Sequence, residues 1–362
     1  MSQLIEIWTR MDDLRTTRRV EAPVPTLGAG QVLMKVDQAA LTANNVTYAV
    51  AGHMIGYWGF FPTGEEGWGK VPVWGYASVV ESNCEGVAPG ETVYGYWPLA
   101  SHVVLEPTEI RASGFADGAA HRQALPLFYN QYNRKSAEPE ALKGLDNERC
   151  LYFPLFVTSY LLYDYLKAND YFGAKQVVIG SASSKTAFGL AHALRHAEEQ
   201  TPDVIGFTSQ GNLAFTQQLN LYDRVLTYGE EAEIEGSVPT AYVDMSGDAR
   251  LIKALHTHCG DNLVESCMVG ITHWEAMRTD MGELPGAKPT MFFAPGQIEK
   301  RDAEWGRGVI MHRALTACAA MAKDAGAWVS VDWVRGAEAI AGEWVDLVDG
   351  KVSPKRGMMV AF

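Results

Sequence analysis

Cysteine is scarce in this chain, and the few cysteines follow no pattern. There are 5, an odd number, and the shortest interval between neighbours separates Cys259 from Cys267. A disulfide framework needs a dense and even set, and zinc sites of the C-x-x-C type need close pairs. The histidines show no metal constellation in the sequence, and His256 and His258, two positions apart, do not share one face of a helix. The sequence therefore predicts neither a disulfide framework nor a bound metal.

Positive clusters and long apolar runs are also missing. The formal net charge is -13, and no stretch of lysine and arginine forms the basic surface with which proteins neutralise nucleic-acid phosphates. The chain has no run of about 18 apolar residues, and its opening residues (MSQLIEIWTRMDDLR) lack the cationic and apolar regions of a secretion signal. We expect a cytoplasmic protein that acts on a small-molecule substrate, with no nucleic acid and no membrane as a partner.

What the chain does contain is enough apolar material for large cores. Of its 362 residues, 47% are hydrophobic and 20% are charged, and there are only 16 prolines. This composition is typical of globular proteins and differs from that of disordered ones. Domains usually hold roughly 100 to 200 residues, so the length predicts two domains.

The first part of the sequence predicts a small β-barrel or sandwich. Short β-type runs occupy residues 31–41, 76–82, 91–97 and 101–107, and glycines and prolines lie between them. A long polar segment at about residues 117–148 follows these runs and is predicted to be an insertion.

From about residue 150 the sequence changes to apolar strands that alternate with helical stretches. Runs such as KQVVIG and DVIGFTS are continuously apolar, which is typical of parallel strands covered by helices on both faces. The pattern predicts the α/β class with a doubly wound parallel sheet of the nucleotide-binding type. The expected domains are residues 1–150, residues 151–306 for nucleotide binding, and residues 307–362, which return to the first domain.

The most informative segment is a strand that enters a turn of small residues and then a helix, from Val177 to Gly189. A helix start offers unpaired backbone N–H groups and the positive end of the helix dipole, which together can hold a pyrophosphate. The dinucleotide fingerprint G-x-G-x-x-G is degraded, because Ser or Ala occupies the later glycine positions until Gly189. The residues predicted to surround the cofactor phosphates are Gly180, Ser181, Ser184, Lys185 and Thr186.

A P-loop is the alternative interpretation of the same turn. Residues 180–186 read G-x-x-x-x-K-T, but the glycine that normally precedes the lysine is missing. Without that glycine the loop should not wrap easily around a β-phosphate, and only Asp244 is available as an obvious magnesium ligand. We therefore favour dinucleotide binding.

The end of the next strand favours NADP(H) over NAD(H). An NAD site normally carries Asp or Glu there, which holds the ribose 2′-hydroxyl and would repel a 2′-phosphate. This chain instead offers the hydroxyls of Thr208 and Ser209 and the amide of Asn212, with Lys185 within possible reach. The alternative is an ordinary polar turn without a ligand.

Further segments occur in an order known from one superfamily. They are residues 30–36 (GQVLMKV), 39–45 (AALTANN), 72–82 (PVWGYASVVES), 87–95 (VAPGETVYG), 154–160 (PLFVTSY), 221–228 (LYDRVLTY) and the closing segment 350–360. Together they resemble the medium-chain dehydrogenase/reductase superfamily, specifically its quinone oxidoreductase and enoyl reductase branch, with this chain as a divergent member. The resemblance implies a GroES-like β-barrel domain, a Rossmann domain that binds NADP(H), and a homodimer.

The zinc-binding features of that superfamily are missing here. Zinc-dependent members have a cysteine near the position of Asn44 or Asn45, a Gly-His-Glu near Gly75, and a lobe with four cysteines, none of which this sequence contains. Catalytic zinc needs three protein ligands. The resemblance is therefore to the zinc-independent branch.

Without a metal, hydride transfer to an activated alkene or quinone needs an oriented nicotinamide, a donor for the developing negative oxygen, and a proton source. In the branch that this chain resembles, a tyrosine follows the turn that contains Asn45, and Tyr48 and Tyr57 both do so here. We favour Tyr57, in an aromatic loop expected to face the cleft between the domains, and include Asn45 and Tyr48 as catalytic candidates. The alternative is that the tyrosines only pack at a domain interface.

Two other segments contribute candidates. Gly270 and Thr272 follow a strand and should lie at its carboxyl end, where Thr272 could contact the nicotinamide. Residues 121–134 are polar and aromatic, and Arg122 or Arg134 could bind a carboxylate or phosphate. We favour a solvated surface helix for that segment.

The sequence thus predicts an NADPH-dependent oxidoreductase that transfers hydride to the activated C=C bond of an enone or quinone without a metal. A fold does not fix a function, so two alternatives stay open. One is a non-catalytic NADP-binding regulatory protein, and the other is a carbonyl reductase that uses the same site.

Overall fold

The computed structural model describes residues 3–269 and 282–362. The chain divides into two compact units, and each has its own core. We call Met1–Leu151 together with Ser330–Phe362 the β unit, and Tyr152–Val329 the α/β unit.

The described residues contain the following elements. The strands are β1 (Gln3–Arg10), β2 (Thr17–Pro23), β3 (Val32–Leu41), β4 (Trp68–Gly69), β5 (Pro72–Ser82), β6 (Thr92–Pro98), β7 (His102–Leu105), β8 (Pro107–Arg111), β9 (Gly114–Asp117), β10 (Gln131–Arg134), β11 (Gln176–Ile179), β12 (Asp203–Thr208), β13 (Arg224–Thr227), β14 (Thr240–Asp244), β15 (Leu263–Met268), β16 (Thr290–Met291), β17 (Ser330–Arg335) and β18 (Arg356–Ala361). The α-helices are α1 (Ala43–Val50), α2 (Gly52–Ile55), α3 (Asp146–Ala168), α4 (Lys185–Arg195), α5 (Leu213–Gln218), α6 (Ala249–Cys259), α7 (Ala294–Trp305), α8 (Val309–Ala325) and α9 (Ala337–Val348). No helix among the described residues is both long enough and apolar enough to cross a bilayer.

The β unit is built on two sheets of mostly antiparallel strands. The larger sheet has the order β17-β18-β3-β5-β6-β10-β9-β8, with β7 also paired to β3, and the smaller has the order β2-β1-β4. Strands β3, β5 and β6 are buried over most of their length, so the centre of the larger sheet forms the core. The four β-type runs expected from the sequence are confirmed as β3, β5, β6 and β7. This arrangement confirms the expected GroES-like β-barrel domain.

The polar insertion contributes a strand to this sheet. β10 pairs with β6 on one side and β9 on the other. The ring of Tyr132 is buried, and its hydroxyl donates to the carbonyl oxygen of Tyr96 at 3.0 Å. A Cβ on Gly114 would lie 2.0 Å from the backbone carbonyl oxygen of Tyr132, so only glycine permits this close pairing of β9 and β10. One aromatic side chain and one glycine thus anchor a segment that is otherwise polar.

The α/β unit contains one parallel sheet with the order β13-β12-β11-β14-β15-β16. In chain order this is 3-2-1-4-5-6, the strand order of the Rossmann fold. Strands β11 and β14 are wholly buried, as the continuous apolar runs predict for strands covered on both faces. The expected doubly wound sheet is confirmed. The strand order reverses between β11 and β14, and ligands of such sheets bind outside the carboxyl ends at this point.

The return of the chain to the β unit begins later than residue 307. Helix α8 belongs to the α/β unit, and the β unit resumes only at Ser330. The physical reason is that the helix packs against its own unit: Asp324 of α8 bonds to His192 of α4, and the ring of Trp328, just after α8, lies 5.8 Å from that of Phe188. Burial of the apolar face of α8, including Ile310, holds it there.

Candidate functional site

The turn after β11 lies at the switch point of the parallel sheet. Gly180 donates its backbone N–H to Val243 at 3.0 Å, and Ala182 donates to Phe207 at 2.8 Å, so the turn is attached to the neighbouring strands on both sides. Helix α4 follows, and the Ser184 hydroxyl accepts the N–H of Ala187 at 3.3 Å as its cap. Helix geometry directs the remaining N–H groups of the first turn outward, towards any ligand at the end of the sheet.

Close packing explains the glycines that remain in this segment. A Cβ on Gly180 would lie 3.0 Å from the Tyr242 hydroxyl and 3.1 Å from Asp244. A Cβ on Gly206, in β12, would lie 2.7 Å from the Cβ of Ala182. The absence of a Cβ at these positions lets the turn pack closely on the sheet, which is also what glycines do in the dinucleotide fingerprint.

Gly189 allows helix α4 to approach helix α3 closely. A Cβ at this position would lie 2.6 Å from the Ser159 hydroxyl oxygen and 2.7 Å from the ring of Phe156. The Ser159 hydroxyl is itself held by Thr186, whose carbonyl accepts from it at 2.8 Å. The single late glycine of the degraded fingerprint therefore has a packing role between two helices.

We expect Gly189→Ala to destabilise the α/β unit by roughly 1–3 kcal/mol, because overpacking outweighs the gain in helix propensity. Urea denaturation followed by circular dichroism measures the loss. Gly342→Ala is the matched control, since this helical glycine of α9 has open space around its Cβ position and should not lose stability. Equal behaviour of the two variants would contradict the packing argument.

Ser181 occupies a strained position in the turn. Its φ angle is 52°, in the left-handed region that non-glycine residues seldom adopt. In the usual fingerprint glycine, which has no Cβ, provides such a conformation at lower cost. Strain of this kind is often found in ligand-binding turns.

Lys185, the first residue of α4, has an ammonium group with a lowered pKa. Its side chain is partly enclosed by the protein, and this desolvation lowers the pKa of its ammonium group to about 8. An anion bound beside it would favour the charged form and raise that pKa again. Thr186, the next residue, is half-buried.

The turn after β12 joins this site through a hydrogen bond. The Asn212 side chain donates to the Ser183 hydroxyl at 3.2 Å, so the two turns that were expected to bind the cofactor lie together. Ser209 is exposed, whereas Thr208 is buried in the strand. Of the two neighbouring hydroxyls, only that of Ser209 is therefore open to a ligand.

Asp244 is not arranged as a magnesium ligand. One of its carboxylate oxygens accepts from the Tyr242 hydroxyl at 3.1 Å and from the backbone and hydroxyl of Ser246 at 2.9 and 2.6 Å. The other accepts from the Gly247 backbone at 2.9 Å. Burial raises the pKa of Asp244, and these donors oppose the rise. Its oxygens fix the turn after β14, which argues against the P-loop interpretation of residues 180–186.

The two remaining cofactor candidates, Gly270 and Thr272, lie outside the described residues.

In the β unit, the tyrosines singled out from the sequence belong to a set of packed rings. We define the aromatic cluster by its six members, whose nearest ring centroids are between 4.7 and 5.4 Å apart: Tyr48, Tyr57, Phe60, Trp74, Tyr96 and Tyr129. Tyr57 and Phe60 come from the aromatic loop that was singled out in the sequence. Trp74 and Tyr96 come from β5 and β6, so the sheet forms one wall of the cluster.

Tyr57 and Tyr129 form a hydroxyl pair inside the cluster. Their two oxygens lie 2.9 Å apart, and either can donate to the other. Burial raises the pKa of both phenols, so both stay protonated at neutral pH. Tyr129 lies in the insertion and was missed as a candidate, because only the fold brings it to Tyr57.

The other two catalytic candidates have structural partners. The Asn45 side-chain oxygen accepts the backbone N–H of Thr42 at 2.6 Å as part of a capping box, and its NH₂ group donates to Pro72 at 2.8 Å. Both ends of this amide serve to fix the start of α1 against β5. The Tyr48 hydroxyl accepts from the Trp74 indole at 3.0 Å, and burial raises its pKa.

The segment 121–134 is not a solvated surface helix, and this expectation was wrong. It forms short 3-10 turns and strand β10. Arg122 is buried and bonds to Asp117 at 3.0 Å and to the Tyr132 hydroxyl at 2.8 Å. Arg134 pairs with Glu91 at 2.6 Å. Both guanidinium groups are therefore engaged within the protein, and the buried Arg122 requires such partners because an unpaired buried cation is costly.

Comparison with protein families assigns the chain to one of them. The model of the family described as "Protein of unknown function (DUF2855)" matches residues 39–353. The chain belongs to this family. No curated protein matches the sequence.

Several solved structures resemble this member of the DUF2855 family along the whole chain. CurA from Vibrio vulnificus in complex with NADPH is 12% identical, with a TM-score of 0.61 over 99% of this chain and 98% of that one. A putative NADPH:quinone reductase from Mesorhizobium loti is 13% identical, with a TM-score of 0.60 over 100% and 99%. The yhdH oxidoreductase from Salmonella enterica in complex with NADP is 14% identical, with a TM-score of 0.54 over 100% of both chains. At such identities the similarity shows the fold alone, and this fold is the one that the sequence resemblance implied.

Proposed function

We propose that this chain is an NADPH-dependent oxidoreductase that transfers hydride to the activated C=C bond of an enone or quinone without a metal. The observation that carries the proposal is the turn after β12. Residues 208–212, all of them described, offer hydroxyl and amide groups and contain no carboxylate. A carboxylate at this place would select NAD and repel the 2′-phosphate of NADP.

The donors around the first turn of α4 suit a dinucleotide phosphate. They comprise backbone N–H groups at the positive end of an 11-residue helix, the hydroxyl of Ser181 and the ammonium group of Lys185. All lie at the carboxyl edge of the sheet beside its switch point. The neighbouring turn adds Ser209 and Asn212, so the residues present fit an adenosine 2′-phosphate together with the pyrophosphate.

The similar structures support the same cofactor class. CurA and the yhdH oxidoreductase were solved in complex with NADPH and NADP, and the Mesorhizobium loti protein is a putative NADPH:quinone reductase. This chain shares their fold, and we extend the cofactor and the reaction class to it as part of the proposal.

When bound, the nicotinamide would supply the hydride. The chain would bind and orient the cofactor and would provide a proton to the substrate. We assign the proton to the hydroxyl pair of Tyr57 and Tyr129. Burial keeps both phenols protonated, and a protonated donor can stabilise the negative oxygen that develops on an enone or quinone. Tyr57 would act as the donor, and Tyr129 would orient it through their 2.9 Å contact.

Titration of the purified chain with NADPH and NADH tests the proposal. We expect saturable binding with a clear preference for NADPH, followed by NADPH oxidation in the presence of a suitable enone or quinone. If neither cofactor binds at millimolar concentration, the proposal is wrong.

A second candidate is a protein that binds NADP(H) without catalysis. The observation in its favour is that the side chains of Tyr57, Tyr48 and Asn45 all have partners within the chain. NADPH binding without oxidation across quinones, enones and aldehydes would support this candidate, and oxidation above background would reject it. Product analysis then separates C=C reduction from carbonyl reduction.

A further inference from the structure

Three side chains with metal-binding atoms meet at one end of helix α4, in the α/β unit. His192 and His196 belong to the last turn of α4 and its C-cap, and Asp324 is the penultimate residue of α8. One ligand atom from each residue lies within 4.8 Å of the other two. His192 Nε2 and Asp324 Oδ2 are 2.8 Å apart, and the two imidazole rings stack with centroids 4.1 Å apart. No other group of three or more such residues has this geometry in the described part of the chain.

The local fold fixes this geometry. Residues four apart in a helix lie on the same face, so the spacing of His192 and His196 directs both rings to one side of α4. Helix α8 is held beside α4 by Trp328, whose ring lies 5.8 Å from that of Phe188 and 6.4 Å from that of His192. Asp324 therefore reaches the histidines from an element that is packed against their own helix.

The hydrogen bonds leave suitable atoms for a metal. His196 Nδ1 lies 2.9 Å from the backbone oxygen of His192, and since a carbonyl only accepts, this nitrogen donates. The lone pair of His196 is then on Nε2, the usual ligand atom of a neutral imidazole.

Two helix ends supply negative potential beside the cluster. The C-terminus of a helix carries partial negative charge on its unpaired carbonyl groups, and the last turns of both α4 and α8 lie here; they also contain Arg195, which is paired with Asp223, and the exposed Lys323. The carboxylate of Asp324 adds a full negative charge. Asp324 and His196 are exposed, so an ion can enter from solvent, while His192 is buried and anchors the site.

We propose that His192, His196 and Asp324 form a binding site for a divalent transition-metal ion, with zinc as its best occupant. Two imidazoles and one carboxylate are a ligand set that zinc accepts, with water in the fourth position. Zinc ligands at 2.0–2.1 Å in tetrahedral geometry are about 3.3 Å apart. The 2.8 Å contact must widen by about half an ångström, which the exposed Asp324 side chain permits.

The expected effect of the metal is to join two helices of the α/β unit. The ion would replace the proton between His192 and Asp324 and add a bond to His196. Because Asp324 lies 132 positions from His192 in sequence, the three ligands meet only in the folded chain, and the ion would bind that state and not the unfolded one. Such binding raises the melting temperature, by roughly 5 °C or more when zinc exceeds its Kd a hundredfold. The site is at the opposite end of α4 from the proposed cofactor turn, so the two proposals can fail separately.

Calorimetric titration of the full chain with zinc alone, after removal of metals by a chelator, tests the proposal. We expect one zinc per chain in the wild type and an affinity that is at least roughly 10- to 100-fold lower in His196→Ala and Asp324→Asn, which remove a ligand or its charge. Both changes are at exposed positions, so the fold should persist. His312→Ala is the matched control, because it removes an exposed histidine of α8 outside the cluster and should leave zinc binding unchanged.

Thermal melts of the same four proteins give an independent result. Zinc should raise the melting temperature of the wild type and His312→Ala and have little effect on His196→Ala and Asp324→Asn. The proposal fails if no saturable binding occurs at 100-micromolar free zinc, roughly the weak limit for a useful site. It also fails if all four proteins bind zinc equally, since the ion would then be bound elsewhere.

Discussion

Tyr57→Phe is expected to lower kcat by roughly 10²-fold or more on a confirmed enone or quinone substrate, with NADPH binding unchanged. The variant keeps the ring in the aromatic cluster and removes only the hydroxyl that pairs with Tyr129 at 2.9 Å. A donor that acts on the transition state contributes to turnover and not to ground-state cofactor affinity. Loss of one positioned general acid costs roughly 10²- to 10⁴-fold. Steady-state kinetics and an NADPH titration measure the two effects.

Tyr94→Phe is the matched control for this variant. Tyr94 is also a buried phenol of the β unit, stacked on Trp74 at 5.7 Å, and its hydroxyl donates to the Arg149 carbonyl at 3.2 Å. It should lose some stability, since a buried hydrogen bond is removed, but keep normal turnover. If Tyr57→Phe has unchanged turnover, Tyr57 is not the donor, and Tyr48→Phe is the next variant to measure.

Ser209→Asp is expected to weaken NADPH binding by roughly 10²-fold and to leave NADH binding comparatively unaffected. Ser209 is the exposed hydroxyl at the end of β12, where an NAD site carries an acid. A carboxylate there would face the 2′-phosphate, and like charges brought together cost several kcal/mol. Titration of the purified variant with both cofactors measures the change in preference.

Ser209→Asn separates the charge from the shape of the new side chain. Asparagine has nearly the same size as aspartate without its charge, so this variant should bind NADPH with close to wild-type affinity. Equal losses for NADPH and NADH in Ser209→Asp would show that Ser209 does not lie beside the 2′-phosphate.

The candidate cofactor site was predictable because it is local in sequence. Gly180, Ser184 and Lys185 follow one strand and start one helix, and the signal depends on neighbours along the chain. The same holds for the strands, whose apolar runs and turn residues mark them without reference to the rest of the fold. Thr208 was chosen by the same reasoning, but which of two adjacent hydroxyls faces solvent depends on the pleat of the sheet, and Thr208 is buried.

Side chains that the fold brings together from distant segments were not predicted to be neighbours. Tyr129 is 72 positions from Tyr57, and Asp324 is 132 positions from His192. The four-residue spacing of His192 and His196 is a local pattern, but the third residue of the proposed metal site has no such signal, and the prediction from sequence was that no metal is bound. Arg122 was assigned to a solvated surface helix because its segment is polar and aromatic, but Asp117 and Tyr132 compensate its burial.

The sequence by itself determined the division into a β-rich part and an α/β part, the alternation of strands and helices in the latter, and the turn proposed to bind the cofactor phosphates. These features follow from hydrophobic periodicity and turn residues, which act between neighbours in the chain. Only the tertiary structure decided which polar side chains are hydrogen-bonded to structural partners, as Asn45 and Asp244 are, and which come together at one place in the fold. The reason is that burial and hydrogen-bond pairing are set by contacts between elements far apart in sequence, and no local pattern encodes them.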